Sequence, residues 1–448
     1  KKEATGVIVQ GGKRRGANMG ILRCDHPDIF DFVEAKQDET AFSNFNFSVG
    51  VTDEFMEAVR ENKYFNLINP RTQGKVKSIR AKSLFDLITY TAWRSGDPGL
   101  VFLDEINRTH PVPGIGKIEA TNPCGEVPLL PFESCNLASI NLSHFVKDQS
   151  VDWMKLKNTV EWGVRFLDNV IEVNKFPLSE IQKITQGNRK IGLGVMGFAD
   201  MLIKMGIPYT SERALTVASK VMRFIRQNSL KASQELAEER GAFPNLEKSM
   251  YAQQGIQIRN GTVNTIAPTG TISLIAGCSS SIEPLFALSY VRNVLSGTKM
   301  FEIHPIFEKE IQKRGLYSKE LMGKIGKSGS IKNIPELPEE LKDLFITSFD
   351  VSPEMHLRVQ AAFQKYTDNS VSKTINLPQD ATVEDISHIY LRAHELKCKG
   401  ITIYRYGTKK DQVLSFGSSV EQEKNKEGKF LTADPEYSGG CQSGVCPF

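Results

Sequence analysis

The sequence predicts an α/β fold, because amphipathic helical patterns alternate with short runs of β-prone residues. The segment 151–176 places apolar residues at helical spacing, and the segment 211–240 is rich in Ala, Glu, Lys and Leu. The clearest β-prone runs are Thr262 to Ile266, Ser370 to Leu377 and Ile401 to Tyr406. Strands that alternate with helices along a chain are typical of α/β proteins.

Several helix boundaries can be predicted from local signals. Gly241 is expected to end the long helix that starts at Ser211. Ser352 precedes a proline and a glutamate, which is the pattern of an N-cap followed by a favourable first turn. Thr382 and Asp385 have the spacing of a capping box, and the helix that they begin is expected to end near Gly400.

The end of the chain differs in composition from the rest. From about Lys409 it is polar, rich in Ser, Gly, Glu and Lys, and poor in apolar residues until its last positions. Such a segment cannot bury enough apolar surface to fold by itself. We therefore expect a folded part, residues 1–408, and a flexible arm, residues 409–448.

Composition excludes several classes of protein. The chain has 448 residues, 40% of them hydrophobic, and a formal net charge of +4 with both signs interspersed, so we expect no nucleic-acid-binding surface. No apolar run approaches the roughly 20 residues that span a bilayer, and no signal peptide is evident, so we expect no membrane association. The chain begins at Lys1 rather than Met, and we expect that a segment upstream has been lost.

Cysteine and histidine usage indicates a reducing compartment without a metal site. Seven cysteines in a chain of this length do not form a disulfide framework, and their odd number argues the same way, so we expect a cytoplasmic protein. Cys24, Cys278 and Cys398 lie in apolar or helical contexts and are interpreted as core or incidental residues. The seven histidines show no metal-ligand spacing, and we interpret them as structural or surface residues.

The segment Asn122 to Glu126 is the first candidate site. It places an amide, a thiol and a carboxylate within five residues, and Cys135 follows Cys124 by eleven positions. If the backbone is extended here, Asn122, Cys124 and Glu126 point to one side, where the carboxylate could accept a hydroxyl proton. The alternative is a buried structural cysteine in a Pro/Gly turn.

The second candidate follows the β-prone run that ends at Ile266. Pro268, Thr269, Gly270, Thr271, Ile272 and Ser273 form a turn that leads into a helix, a geometry that exposes backbone N–H groups and hydroxyls to phosphate. The alternative is a capped helix without a ligand. No Gly-x-x-x-x-Gly-Lys pattern is present, so the turn is not the P-loop of a nucleotide triphosphatase.

The third candidate is a pair of cysteines near the end of the predicted arm. Cys441 and Cys446 on a mobile tether could reach a buried disulfide, exchange with it and swing out to be reduced. A zinc site would need about two further ligands, and the arm has no other Cys or His. The alternative is a frayed end without a role.

Taken together, these motifs resemble the large, catalytic chain of ribonucleotide reductases. The resemblance extends to GGKRRGANMG at 11–20, RCDHPD at 23–28, SCNLASINL at 134–142 and KIGLGVMGF at 190–198, in the order that the family has them. The family implies a ten-stranded α/β barrel of two halves, with a central finger loop that here lies near residues 122–126. The chain is similar to the C-terminal portion of that barrel, with the first half-barrel incomplete.

The resemblance also implies roles for the candidate residues. Cys124 would carry the thiyl radical that takes the 3′ hydrogen of the ribose, Glu126 would be the general base, and Asn122 would position the substrate hydroxyls. Cys135 would be one of two thiols that reduce the 2′ carbon, and Cys441 and Cys446 would regenerate that dithiol. The turn from Pro268 to Ser273 would bind the diphosphate or triphosphate of the ribonucleotide.

The class implied by the resemblance is the one that depends on adenosylcobalamin. In the iron- or manganese-dependent class two adjacent tyrosines relay the radical, but Arg405 follows Tyr404 where the second tyrosine should stand. The C-terminal motif of the glycyl-radical class is absent. The cofactor would therefore generate the thiyl radical directly. An iron- or manganese-dependent large subunit is the alternative.

One departure from the family pattern concerns the partner of Cys135. In the family this partner lies upstream of the GGKRRG motif, which here begins at Gly11, and Cys24 lies after it. We therefore expect the isolated chain to be inactive and to act as a homodimer or in complex with an N-terminal segment, with a thioredoxin- or glutaredoxin-like reductant. Two further alternatives are a thiol–disulfide oxidoreductase and an inactive fragment that serves as a partner subunit.

Overall fold

A computed structural model of the chain describes residues 9–10, 14–37, 42, 44–294, 298–408, 414–416 and 431–433. The paired cysteines predicted to be redox-active, Cys441 and Cys446, lie outside the described residues. None of the helices within the described ranges is long and apolar enough to cross a membrane.

Five strands form the first part of the central sheet. Three parallel strands, β1 (Asn18–Arg23), β2 (Phe45–Val51) and β3 (Gly99–Phe102), lie side by side. Two strands from the C-terminal part of the chain extend this sheet. The strand Gly400–Arg405 pairs antiparallel with β3, and the strand Thr374–Leu377 pairs parallel with Gly400–Arg405. The sheet therefore changes direction once, between β3 and the strand at Gly400.

The second part of the sheet lies beyond the strand Thr374–Leu377. Strands β4 (Asn136–Asn141) and β5 (Ile191–Met196) are parallel, and we number the strands Thr374–Leu377 and Gly400–Arg405 as β6 and β7. The segment 262–266 links β5 to the segment just before β6 through single parallel bridges, Leu193 with Asn264 and Ile266 with Val371. The neighbours therefore run β1, β2, β3, β7, β6, 262–266, β5, β4.

This arrangement confirms the predicted α/β fold as two half-sheets that meet antiparallel at β3 and β7. Within the described ranges, no ladder joins β1 to β4, so the ring of strands is open at that point. Two large apolar clusters pack the helices against the strands. One surrounds β4 and β5 and includes Val164, Leu193 and Val221, and the other surrounds β2, β3 and β7.

The helices cover the outside of the sheet. Their bounds are Ile29–Glu34, Asp53–Arg60, Ala81–Ser95, Leu103–Arg108, Trp153–Val173, Ser179–Asn188, Phe198–Lys204, Glu212–Arg240, Met250–Gln253, Gly270–Ala276, Pro305–Lys313, Lys319–Ser328, Glu339–Leu344, Pro353–Gln364 and Val383–Glu395. Short 3₁₀ turns occupy Leu142–Phe145 and Leu246–Lys248.

The predicted N-caps and the helix end at Gly241 are confirmed. Ser211 caps the helix Glu212–Arg240 by accepting from the Ala214 amide, and Gly241 ends it with a φ of 81°. Ser352 caps the helix Pro353–Gln364 in the same way. Thr382 and Asp385 form a complete capping box, although the helix that they begin ends at Glu395, before the predicted position near Gly400.

Small antiparallel pairs complete the secondary structure. They are Val9–Gln10 with Arg14–Arg15, Tyr64–Ile68 with Lys75–Arg80, Ala120–Thr121 with Pro128–Leu129, and Val146–Lys147 with Ser150–Val151. The hairpin Ser289–Val294 and Thr298–Ile303 lies in a separate sheet with Leu414–Phe416 and Leu431–Ala433.

One prediction needs correction. The β-prone run Thr262 to Ile266 makes only single bridges rather than a strand, because the side chains of Asn264 and Thr265 engage neighbouring backbone and side-chain groups there. The flexibility of the arm 409–448 stays a prediction. Two of its stretches, Leu414–Phe416 and Leu431–Ala433, form strands. Their pairing satisfies backbone groups that the edge of the hairpin would otherwise leave open.

Candidate active site

Cys124 lies at the tip of a tight turn rather than on an extended segment. The Gly125 amide donates a hydrogen bond of 3.0 Å to the Asn122 carbonyl, which closes a four-residue turn between the paired strands Ala120–Thr121 and Pro128–Leu129. Gly125 has a φ of +78°, a conformation that favours glycine. The expectation of an extended backbone is therefore wrong, because the proline and glycine fold the loop back on itself.

Although the loop is not extended, the turn brings the side chains of Asn122 and Glu126 into hydrogen-bonding contact. The Asn122 side-chain oxygen accepts a hydrogen bond of 2.9 Å from the Val127 amide, and its side chain also bonds to the Glu126 carboxyl group. The amide and the carboxylate therefore meet at the base of the turn, and the thiol of Cys124 lies at its tip.

Contacts to both half-sheets hold this loop in place. The Asn46 side chain, on β2, donates a hydrogen bond of 2.6 Å to the Pro123 carbonyl. The Glu126 carbonyl accepts from the Thr265 hydroxyl at 2.7 Å and from the Ser370 amide at 2.9 Å. Because anchors on opposite sides fix both ends of the turn, the position of the thiol is defined by the fold rather than by the loop alone.

The half-buried Cys124 lines a small cavity of about 50 Å³, enough for a water molecule or two. Its walls come from strands of both halves and from one helix, and they include Asn46, Ser48, Leu100, Gln360, Lys373 and Thr402. The buried Gln360 donates to the Gly400 carbonyl at 2.8 Å, while its side-chain oxygen has no hydrogen-bond partner within the described ranges. The thiol therefore faces a polar recess at the junction of the half-sheets.

Glu126 is a buried carboxyl group with unused hydrogen-bonding capacity. It is 4% exposed, and burial raises its pKa from 4.5 to about 7, an effect that the hydrogen bond from Asn122 only partly opposes. No described residue donates to its Oε2 atom. A carboxyl group with a pKa near neutrality and a free oxygen can accept a proton and later return it, which suits a general base.

Cys135 lies immediately before β4 and next to a buried ion pair. Burial holds the pKa of its thiol well above its usual range, while Lys190 lowers this pKa and both Glu133 and Glu126 raise it. Lys190 bonds to Glu133 at 2.7 Å, with both side chains almost fully buried. Because the charge of Glu126 acts on the Cys135 thiol, the carboxyl group and the second thiol lie within electrostatic range of each other.

The predicted phosphate turn lies just beyond the segment that anchors Glu126. Thr269 has a φ of 56° and its buried hydroxyl accepts from the Ser281 amide at 2.7 Å, and the Ser273 hydroxyl is likewise internal, bonding the Gly270 carbonyl at 3.0 Å. Amides in the first turn of the helix Gly270–Ala276 have no acceptor within the helix. Thr271 is exposed, so its hydroxyl and these amides remain for a ligand.

The distance between the two candidate sites can be bounded along the chain. Thr265 bonds to the Glu126 carbonyl, and Pro268 follows Thr265 by three residues. At about 3.3 Å per extended residue this is roughly 10 Å. A ribose at the turn that carries Cys124 could therefore place its 5′ phosphate groups near Pro268 to Ser273.

Sequence reasoning missed a buried cluster beside the thiol. Lys373, which lines the Cys124 cavity, pairs with Glu283 and lies 2.9 Å from His356 Nδ1. His356 Nε2 lies 3.0 Å from the Ser348 carbonyl, so Nε2 carries the proton and Nδ1 accepts from Lys373. Burial lowers the pKa of both Lys373 and His356. The only sequence signal is a lysine within the β-prone run that starts at Ser370.

Arg405, which interrupts the tyrosine pair of the metal-dependent class, faces away from Tyr404. Its guanidinium group donates to the Trp93 carbonyl at 3.0 Å and to the Gln379 carbonyl at 2.9 Å, and it stacks over the Trp93 ring at 4.3 Å. Tyr404 is buried on the other face of β7. Arg405 therefore has a structural role that explains its presence.

Two of the three remaining thiols are core residues, and two further histidines pair with carboxylates. Cys24 and Cys398 are fully buried, and Cys278 is half-buried. His394 bonds to Asp53 at 2.8 Å and His304 to Asp200 at 2.9 Å. Within the described part of the chain, no group of three or more His, Cys, Asp or Glu residues could hold a metal ion.

Comparisons with known proteins point to one family. The family model described as the barrel domain of ribonucleotide reductase matches residues 2–258 and 253–404. The chain is 52% identical to a vitamin B12-dependent ribonucleoside-diphosphate reductase of Thermoplasma acidophilum, over 99% of this chain and 59% of that protein. It is 49% identical to the protein of the same name from Mycobacterium tuberculosis, over 99% of this chain and 62% of that protein.

A solved structure agrees with these matches. The alpha subunit of a class Id ribonucleotide reductase from Actinobacillus ureae superposes with a TM-score of 0.72 at 25% identity, covering 87% of this chain and 71% of that chain. The chain spans about three fifths of the length of the curated relatives that it matches.

Proposed function

Because this chain belongs to the ribonucleotide reductase family, we propose that it carries the catalytic centre for the reduction of ribonucleoside diphosphates to deoxyribonucleotides. The observation that carries the proposal is the pairing of a thiol at the tip of a fixed turn with a buried carboxyl group whose pKa is about 7. The substrate class follows from the two relatives, which are both ribonucleoside-diphosphate reductases.

The first step is the removal of a hydrogen atom from the substrate. Cys124, as a thiyl radical, takes the hydrogen from the 3′ carbon and becomes a thiol. Glu126 accepts the proton of the 3′ hydroxyl, and the Asn122 amide, which already bonds to Glu126, holds the substrate hydroxyls beside it. The buried position of Glu126 favours proton transfer to substrate over exchange with bulk water.

The second step uses two electrons from a dithiol. Cys135 and a second thiol are oxidised to a disulfide; one of their hydrogens leaves with the 2′ hydroxyl as water, and the other goes to the 2′ carbon. Glu126 then returns its proton to the 3′ oxygen, and Cys124 returns its hydrogen atom to the 3′ carbon and becomes a thiyl radical again. Cys441 and Cys446 then reduce that disulfide by exchange, and a thioredoxin- or glutaredoxin-like protein reduces them in turn. We place the substrate diphosphate at the turn from Pro268 to Ser273.

The chain has features that fit adenosylcobalamin as the radical source. A cavity of about 590 Å³ lined by aromatic rings lies next to Tyr404, two residues along β7 from the wall of the Cys124 cavity. When bound, adenosylcobalamin would supply the radical that oxidises the Cys124 thiol.

An additional polypeptide segment is part of the proposal. The strand ring is open between β1 and β4 within the described ranges, and the edge of β4 exposes Leu137. Strands that pair there would close the ring and shield the site from water. We propose that such a segment, which would also carry the partner thiol of Cys135, is needed for activity, and that the active assembly is a homodimer or a complex with it.

The test is turnover by the chain alone and together with an N-terminal segment taken from a relative. We expect reduction of a ribonucleoside diphosphate only with the segment, adenosylcobalamin and a dithiol present. Cys124→Ser should abolish turnover, and the matched control Cys278→Ser should retain it. Turnover by the isolated chain would refute the need for the segment, and full turnover by Cys124→Ser would refute the proposed chemistry.

A further inference from the structure

Lys190 is an almost fully buried lysine beside the second thiol of the candidate site. It immediately precedes β5, just as Cys135 immediately precedes β4, and the parallel ladder between these strands begins with Asn136 opposite Ile191. Cys135 and Lys190 are therefore neighbours at the start of the ladder, where adjacent strands lie about 5 Å apart. This register places a positive charge in the surroundings of the Cys135 sulfur.

The carboxylate of Glu133 holds Lys190 in a fixed position. One carboxylate oxygen accepts from the Lys190 ammonium group at 2.7 Å and from the Leu130 amide at 2.9 Å. The other oxygen accepts from the Asn188 side chain at 2.6 Å. Because both members of the ion pair are buried, neither can turn away without leaving an uncompensated charge in the interior.

Lys190 has hydrogen-bonding capacity that this pair does not use. An ammonium group has three N–H donors, and within the described part of the chain Glu133 is its one hydrogen-bond acceptor. The thiol of Cys135 is directed at the Asn136 carbonyl, 3.6 Å away. A further N–H group of Lys190 can therefore turn to the neighbouring sulfur when that sulfur becomes negatively charged.

The charges that act on Cys135 agree with this arrangement. Burial raises the pKa of its thiol, and among the charged neighbours Lys190 has the largest effect and lowers this pKa, whereas Glu133 raises it. The other titratable groups coupled to these residues are Glu126, which acts on Cys135, and His110 and Lys399, on which Lys190 acts. Lys190 is thus the principal counter-charge for a thiolate at Cys135.

We propose that Lys190 stabilises Cys135 as a thiolate when the disulfide of the candidate site is reduced, so that Cys135 is the first sulfur to leave. The inference rests on the proposed function, because that reaction forms the disulfide. A buried thiolate is a poor leaving group, and thiol–disulfide exchange is faster when the departing thiolate is more stable. The cation beside Cys135 therefore directs the attack to the other sulfur of the disulfide.

The exchange then proceeds in two balanced steps. One thiolate of the pair Cys441 and Cys446 bonds to the sulfur of the second thiol, the bond from that sulfur to Cys135 breaks, and its electron pair passes to Cys135. The remaining thiolate of the pair attacks its neighbour in the mixed disulfide and releases the second thiol as a thiolate. The arm ends as a disulfide, and the two protons that its thiols lost are returned to the two released thiolates.

The test is the rate at which iodoacetamide alkylates Cys135 in the folded 448-residue chain, resolved from the other cysteines by mass spectrometry. Lys190→Met keeps the length of the side chain and removes its charge. A less stable thiolate is rarer but also more nucleophilic, so we expect the rate to fall about fivefold near neutral pH. Lys190→Arg keeps the charge and should stay within about twofold. An unchanged rate in Lys190→Met would overturn the proposal.

Two cysteines in the same sample control for access and folding. Cys278 is half-buried, and the charges that act on it are those of Asp200 and Lys204, so its rate should not respond to Lys190→Met. Cys398 is fully buried, and rapid alkylation there would show that a variant opens the fold.

Glu133→Gln decides the question if Lys190→Met does not fold. It removes the anion and keeps an oxygen that can accept from Lys190, so Cys135 should be alkylated about threefold faster. A slower or unchanged rate in a folded Glu133→Gln chain would contradict the role of the charge.

A comparison of turnover separates this inference from the proposed function. With the N-terminal segment and adenosylcobalamin present, Lys190→Met should slow repeated turnover and leave a single turnover of the pre-reduced protein within about twofold, because only repeated turnover needs the exchange. Equal losses in both would contradict the proposed step. Alkylation needs no turnover, so a chain that reduces no ribonucleotide but shows the expected alkylation rates would lose the proposed function and keep the stabilised thiolate.

Discussion

The hydroxyl group of Thr265 donates a hydrogen bond of 2.7 Å to the backbone carbonyl of Glu126. This bond joins two parts of the candidate site that lie far apart in sequence. Glu126 ends the turn that carries the thiol, and Thr265 lies three residues before the predicted phosphate turn. The hydrogen bond would thus fix the position of the general base, Glu126, relative to a substrate whose phosphate groups are held at Pro268 to Ser273.

Replacement of Thr265 by Val should lower kcat markedly and reduce the stability of the fold only slightly. The loss of one net hydrogen bond costs about 1 kcal/mol, since the Ser370 amide still satisfies the Glu126 carbonyl. A small displacement of the turn should lower kcat about tenfold. The control is Thr262→Val, whose hydroxyl bonds to the Ile191 carbonyl. It should lose similar stability in denaturant titrations and retain kcat, and equal losses of kcat in both variants would contradict the positioning role.

Replacement of Glu126 by Gln should remove the general base without a loss of packing. We expect kcat to fall by about 100-fold or more, with little change in substrate affinity. In the unmodified enzyme kcat/KM should rise with pH and level off above about 7, because only the ionised carboxylate accepts the proton. An unchanged kcat in Glu126→Gln, or a rate that falls through this range, would disprove the assignment.

The same residue links stability to pH. Burial raises the pKa of Glu126 from 4.5 to about 7, so the folded chain holds the proton more tightly than the unfolded chain. The resulting stabilisation is complete below pH 4.5 and is lost as pH rises through about 7. Over that window the unmodified chain should lose about 3 kcal/mol relative to Glu126→Gln, at roughly 1.4 kcal/mol per pKa unit. Chemical unfolding at several pH values measures the difference, and parallel stability curves would contradict it.

Replacement of Gly125 by Ala tests the turn itself. A Cβ atom there would meet nothing within 4 Å, so the only penalty is the φ of +78°, about 1 kcal/mol. Gly255 has a φ of +66° and equally open surroundings, which makes Gly255→Ala a matched control. Both variants should lose similar stability on thermal unfolding. Activity should fall only in Gly125→Ala, and full activity there would show that the position of Cys124 does not depend on this turn.

Replacement of Thr271 by Asp separates phosphate binding from helix stability. An acidic residue in the first turn should stabilise the helix Gly270–Ala276 by about 0.5 kcal/mol. The same charge should repel a diphosphate and raise KM about tenfold. The neutral control, Thr271→Asn, should leave KM within about threefold, on the scale of a single weak contact. An unchanged KM in Thr271→Asp would place the phosphate groups elsewhere.

Local signals predicted the helices better than they predicted the site. Ser211, Ser352 and Thr382 cap helices as expected, because capping depends on residues within one turn of each other. The geometry of the turn at Cys124 was predicted incorrectly from the alternation of side chains in an extended strand. The pairing of Ala120–Thr121 with Pro128–Leu129 makes the chain reverse there.

The contacts that complete the site could not be predicted from sequence. Asn46 reaches the Pro123 carbonyl across 77 residues, and Lys373 pairs with Glu283 across 90. These partners are selected by the order of the strands, which local patterns do not specify. The aromatic-lined cavity next to Tyr404 likewise combines segments that are separate along the chain.

The central claim is that Cys124 removes the 3′ hydrogen of a ribonucleotide while Glu126 takes the proton of the neighbouring hydroxyl. The most direct measurement is the rate of reduction of a ribonucleoside diphosphate labelled with deuterium at the 3′ carbon, with the chain supplemented by an N-terminal segment, adenosylcobalamin and a dithiol. We predict a primary isotope effect on kcat/KM in the unmodified chain and in Cys278→Ser, and no turnover in Cys124→Ser. Normal turnover of the labelled substrate by Cys124→Ser would contradict the claim.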